Sequence, residues 1–116
     1  MAELIDESTL PTGFSYPREF IAILNIGMTD LTPWWIPTGE MLQDRYSGLR
    51  ERFTGRDLVP FAERQDNDDV ACWDVQSERV VIVHDFGDPR APDRATFDNF
   101  FGWLRQAVED LIEWHS

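Results

Sequence analysis

Cys72, His84 and Asp85 are the residue types of a nucleophile, a general base and the acid that orients it. They fall in two neighbouring apolar runs, VACWDV and RVVIVHDF. A working triad needs its three side chains on one surface, within hydrogen-bond reach of each other. In a regular strand His84 and Asp85 point to opposite faces, so they cannot act side by side. Cys72, between Ala71 and Trp73, reads as a small packing residue rather than an activated thiol. His115, one residue from the end of the sequence, reads as a surface residue. These residues give no catalytic assignment.

The stretch ERQDNDD, Glu63 to Asp69, holds four carboxylates and one guanidinium in seven residues. Setting Asp66 and Asp68 at the first and third positions of a calcium loop puts Val70 at the fifth. That register has no glycine at the sixth and places Ser77 where the closing glutamate belongs. No metal site is expected. Two readings remain: a solvated hairpin turn whose Asp and Asn side chains accept from local backbone donors, or an electrostatic surface for a basic partner. Trp34-Trp35 supplies large rings with few torsions, and strand alternation would bury one while leaving the other as a surface anchor. Trp103 and Trp114 are spaced to share one side of a helix, either extending its packed face or forming another exposed patch.

The dinucleotide fingerprint, the GxxxxGK phosphate loop and HExxH are absent, and the chain contains no lysine. No cofactor is expected, and Gly87-Asp88-Pro89 reads as a turn. The 22 acidic residues outnumber the 10 basic ones, giving a formal net charge of -12. That charge disfavours direct binding to nucleic acid or to an anionic membrane and attracts a basic protein at long range. A single cysteine excludes an intrachain disulfide and fits a reducing compartment. The opening MAELIDEST lacks the charge and apolar run of a secretory signal, and no apolar run has membrane length. A cytoplasmic location is the resulting expectation.

The chain has 116 residues, of which 42% are apolar, which is enough for one core. Residues 1–13 read as a flexible tail and residues 14–116 as one domain. In YPREFIAILNIG, Pro17 opens a helix to about Ile26, with Phe20, Ile21 and Leu24 on one side. Pro33 and Pro37 bracket a short extended piece at Trp34-Trp35-Ile36. From Glu40 to Thr54 the residues Met41, Leu42, Tyr46, Leu49 and Phe53 fit one side of a helix, although Gly48 interrupts the pattern. Leu58 to Ala62 reads as a strand whose Pro60 suits an edge or a bulge. VACWDV and RVVIVHDF then form a hairpin, so that three strands make a meander. Thr96 is the expected cap of a closing helix whose stripe runs through Phe97, Phe101, Leu104, Val108, Leu111 and Ile112, widened by Phe100 and Ala107. This order predicts a small α+β fold with an antiparallel sheet packed against helices.

Four segments together resemble SMI1/KNR4-like proteins, the SUKH superfamily. PREFIAILNIG is similar to the family's proline-initiated helix, and LVPFAERQDNDDVACWDV to its apolar-Pro-Phe-Ala strand, turn and following strand. RVVIVHDF resembles its next strand, and TFDNFFGWL its Phe-rich closing helix. The resemblance spans residues 17 to 114. In the family's Asn-Gly-Gly-like turn this chain carries Asn25-Ile26-Gly27-Met28. The resemblance implies an α+β domain of noncatalytic binding proteins. Many of these are bacterial immunity proteins that neutralise polymorphic toxins, often nucleases, and other relatives are eukaryotic regulators.

Charge and resemblance together lead to the expectation of an immunity protein that binds a cognate toxin domain, with a basic nuclease as the natural case. Asp66, Asp68 and Asp69 would form the acidic patch, Asp85 and Asp88 would add to it, and Trp34 or Trp35 would anchor it. A regulatory domain binding an endogenous partner is the alternative. A small-ligand binder or cryptic enzyme, with a pocket at His84 or Cys72, ranks below both. The sequence does not set the oligomeric state.

Overall fold

The β-branched and aromatic run between Leu58 and His84 builds the middle of an antiparallel sheet. The structure, a computed structural model, describes residues 3–116. Its strands are β1 (Asp30–Leu31), β2 (Trp34–Trp35), β3 (Leu58–Arg64), β4 (Asp69–Asp74), β5 (Arg79–His84) and β6 (Ala95–Phe97). Its helices are α1 (Arg18–Asn25), α2 (Gly39–Arg52) and α3 (Phe100–His115). Every strand pairs antiparallel with its sequence neighbours, in the order β1-β2-β3-β4-β5-β6. The molecule is therefore a single-domain α+β fold, and the expected meander of β3, β4 and β5 is its centre.

Strand alternation assigns the two faces. Ala71, Trp73, Val80 and Ile82 join Phe20 of α1 and Phe100, Trp103 and Ala107 of α3 in the main core. Val70, Cys72, Val81 and Val83 point the other way, against Leu49 of α2 and the following Phe53. A bulge in β3 then changes which residues meet which helix. Pro60 pairs with Cys72 but Ala62 pairs with Ala71, so Phe61 is the extra residue. Beyond the bulge Glu63 points to α2 and Arg64 to α3, the reverse of an unbroken alternation. Pro60 sits at this bulge, and β2 pairs only with Glu63 and Arg64, so no strand of β2 needs the missing Pro60 N–H.

Two expectations change. The stretch read as a flexible tail is packed over its described part. Ile5 is buried beside Leu42 and Tyr46, the Ile5 N–H donates to the Tyr16 hydroxyl at 3.2 Å, and the Tyr46 hydroxyl donates to the Thr9 carbonyl at 2.8 Å. Its apolar residues Leu4, Ile5 and Leu10 carried that signal. Residues 1 and 2 lie outside the described residues.

The closing helix starts later than Thr96. That residue lies in β6 opposite Val81, so its backbone serves the sheet, and Asn99 caps α3 by accepting from the Gly102 N–H at 3.0 Å. The buried side runs through Phe100, Trp103 and Ala107, with Leu104 and Leu111 at its margin and Phe101, Val108 and Ile112 exposed. Helix α1 matches its expected span closely. Helix α2 is unbroken across Gly48.

Candidate partner-binding site

The acidic stretch forms the end of β3, a turn at residues 65–68 and the start of β4. Inside it the Asn67 side-chain oxygen accepts from the Asp69 N–H at 2.8 Å, a local turn bond of the kind these residues favour. Because the bulge turns Arg64 toward α3, Arg64 bridges two carboxylates. It binds Asp66 through both oxygens at 2.8 and 3.1 Å and reaches Asp110 at 3.5 Å. The Arg64 bond, then its charge, holds the Asp66 carboxyl below its usual range despite slight burial. Asp110 also accepts from the Trp34 indole N–H at 2.9 Å and from Gln106 at 3.0 Å.

This bracing joins the acidic turn to the end of α3 and leaves a cleft of about 420 Å³ lined by Arg64, Asp66, Asp110, Glu113 and Trp114. Trp114 is 45% exposed. Glu113 makes no side-chain hydrogen bond or ion pair among the described residues, and Asp68 stands exposed on the adjacent turn. An open indole beside the unpaired Glu113 carboxylate is suited to a cationic side chain: the ring takes the stem or the charge, and Glu113 takes the head.

The expected site residues divide. Asp66 and Asp68 lie at or beside the cleft. Trp34 is buried and edge-on to Trp103 at 5.5 Å, so it braces the site from inside, while Trp35 is half-buried on the other face. Asp69 is nearly covered and bonds His84 Nδ1 at 3.0 Å and Arg94 at 3.2 Å. Asp88 is exposed and pairs with its neighbour Arg90. Asp85 is corrected outright as a surface residue. Its side chain is 0% exposed and is held by Arg45 at 2.7 Å and by Arg52 at 2.6 and 2.7 Å. Burial opposes its charge, but the bonds from Arg52 and Arg45 outweigh burial and keep its carboxyl below the usual range.

Asp110, Glu113 and Trp114 are not among the expected partner-binding residues. Their signal was present in the Trp103/Trp114 spacing, but nothing local linked α3 to the turn at 65–68. The structure also separates the nucleophile-like trio. His84 faces Asp69, Asp85 faces α2, and Cys72 is fully buried with its thiol pushed to higher pKa by desolvation. His84 with its orienting carboxylate borders a cleft of about 310 Å³ whose floor includes Phe53, Val83 and Pro92. No group of three or more His, Cys, Asp or Glu among the described residues is placed to hold a metal ion. No described helix is long and apolar enough to cross a membrane.

Comparison of the chain with protein-family models, with curated proteins and with solved structures finds no match.

Proposed function

We propose that this chain is a noncatalytic binding protein of the SMI1/KNR4-like kind, an immunity protein that neutralises a basic toxin domain, with a nuclease as the favoured case. The observation that carries this reading is the cleft where an open Trp114 meets Glu113 and the braced Asp66. Internal pairing strengthens it. Arg45, Arg52, Arg56, Arg64, Arg79, Arg90 and Arg94 are all engaged by carboxylates of the same chain, so most of the positive charge is already satisfied. What the surface has left to offer is mainly negative. A nuclease must itself be positive where it approaches phosphate, and such a surface would be drawn to this one.

The test is capture of the tagged protein's partner at low salt, followed by assay of the purified partner with and without added protein. Stoichiometric loss of partner activity, with affinity that weakens as salt rises, is the expected result. In that assay Trp114→Ala should weaken binding by about 2 kcal/mol, as for a central aromatic anchor, and Glu113→Gln by about 1 kcal/mol with a shallower salt dependence. A captured partner whose activity is untouched, or a Trp114→Ala protein that inhibits as well as the parent, would sink the reading.

A further inference from the structure

Phe86 is an exposed ring that the fold works to hold in place. Its backbone lies at φ 65°, the left-handed region that a bulky residue enters only at a cost, although the next residue, Gly87, would carry that conformation freely. The side chain is nevertheless 64% exposed, so core burial does not offset the strain. The restraint comes from below. The buried Asp85 carboxylate accepts the Phe86 N–H at 2.9 Å and fixes Arg52, whose guanidinium lies 3.9 Å from the Phe86 ring centroid. Gly48 makes this possible, because a β-carbon there would overlap the Arg52 guanidinium. A mid-helix glycine, a buried acid and a strained backbone thus converge on one ring.

That ring borders a cavity of about 380 Å³, with Met41, Asp44, Arg45 and Glu63 on its other sides. Met41 is 57% exposed and gives a second apolar wall. The two arginines carry little free charge here, since Arg45 pairs with Glu63 and Asp85, and Arg52 pairs with Asp85. Asp44 is exposed and unpaired among the described residues, and Glu63 uses only one oxygen on Arg45. Arg45 and Arg52 balance Glu63 and Asp85, so the charge left over is the single negative charge of Asp44, with the second Glu63 oxygen still free to accept, and both sit beside apolar walls. A purely apolar occupant would desolvate these carboxylates without pairing them, whereas a cation with an apolar stem satisfies both.

We propose that this cavity is a second contact site for a basic protein partner. It takes an arginine side chain stacked on the free face of Phe86, with its guanidinium turned to Asp44 and Glu63. Arginine is preferred to lysine because its planar head stacks on a ring while donating in the plane. The assignment rests on the reading of the chain as a binder of a basic protein and adds a site to it. The two sites share one end of the sheet, because the Asp68 carbonyl accepts the Asp85 N–H at 2.9 Å, so the acidic turn runs between them.

N-acetyl-arginine amide is the probe, titrated into protein labelled at methionine methyls, phenylalanine rings and tryptophan indoles and followed by NMR. Saturable shifts at Phe86 and Met41 are expected, with a much smaller response to uncharged N-acetyl-norleucine amide. Phe86→Gly should weaken the probe about fivefold while leaving the thermal midpoint near that of the parent, because glycine relieves the backbone. Asp44→Asn should weaken it as well, and Trp114→Ala should not change the Phe86 response. The proposal fails if Phe86 shows no saturable shift, if norleucine amide acts equally, or if Phe86→Gly binds like the parent. A large fall in the thermal midpoint of Phe86→Gly would also overturn it, by assigning the ring to shielding the Arg52–Asp85 pair. Shifts at the Trp114 indole alone would retain the first site and remove this one, and shifts at Phe86 alone would do the opposite.

Discussion

On the sheet face covered by α1 and α3, rings meet rings: Phe61 lies 4.5 Å from Trp73 and 4.9 Å from Trp103, and Phe20 lies 4.9 Å from Trp73, centroid to centroid. On the face covered by α2 the packed residues are smaller, Leu49, Leu58, Val70, Cys72, Val81 and Val83 around Phe53, and beyond them Arg45 and Arg52 close on Asp85. The aromatic face relies on area removed from water, which is non-directional and insensitive to pH. It also leaves the Trp73 and Trp103 indole N–H groups buried without a partner among the described residues. The α2 face satisfies its buried polar groups, but only through directional contacts. One face tolerates change of shape poorly, the other change of charge.

The largest effects should come from truncating each face at its centre. Phe61→Ala removes a ring from the aromatic cluster and should cost about 3–5 kcal/mol. Asp85→Ala leaves two arginines facing an empty buried site and should cost a similar amount, about 3–5 kcal/mol. Urea unfolding measures both, and a loss below about 1 kcal/mol for Asp85→Ala would reduce the cluster to a surface ion pair.

Acid separates the two faces. Asp85 has a folded-state pKa below its unfolded value, so in acid the unfolded chain binds more protons. Its contribution is complete above the ordinary carboxylate range and is lost as pH falls through the depressed folded value. Unfolding between pH 7 and 2 should therefore show a steeper acid loss in the parent and in Phe61→Ala than in Asp85→Asn. Equal slopes in all three would place the acid sensitivity elsewhere.

Gly48 gives a smaller and more diagnostic effect. Alanine in a helix interior normally gains about 1 kcal/mol over glycine, yet here its β-carbon displaces Arg52 from Asp85, and a charged hydrogen-bond pair is worth about 1.5–3 kcal/mol. Gly48→Ala should thus lose about 1 kcal/mol net. The same change made in an Arg52→Ala background should stabilise, a reversal of sign that a double-mutant cycle would detect. Smallest of all, Trp114→Ala should alter stability by less than about 0.5 kcal/mol. On the proposed reading its influence falls on binding, and a large stability loss would move Trp114 into the packed face of α3.

The same contrast explains what the sequence made legible. Rows of β-branched and aromatic residues announced β3, β4, β5 and the α+β class, because period and side-chain type are local properties. Pro33 and Pro37 marked the extended piece that becomes β2, whereas the two-residue β1 and the three-residue β6 carry too little pattern to be read alone; their pairing depends on neighbours already in place. Thr96 looked like a cap because capping chemistry is local, whereas its strand pairing with Val81 is not. At the site, the acidic turn and its exposed Asp66 and Asp68 were readable. Pro60 allowed an edge or a bulge without choosing between them, and the bulge is what decides that Arg64 meets Asp110 while Glu63 meets Arg45. In the sequence Gly48 interrupts a helical pattern; in the fold it leaves the space that the Arg52 guanidinium occupies.

The strand order has a consequence for how the chain reaches this structure. Each strand pairs only with strands adjacent to it in sequence, so no ladder has to wait for a distant segment, and most of the sheet can close through short loops whose entropy cost is small. The longest detour is the one that builds α2 between β2 and β3. It is also the helix anchored by a carboxylate thirty-three and forty residues away from its two arginines. Assembly speed and final rigidity are thus assigned to different parts of the chain: hairpin closure supplies the first, and a few charged contacts that span long stretches of sequence supply the second.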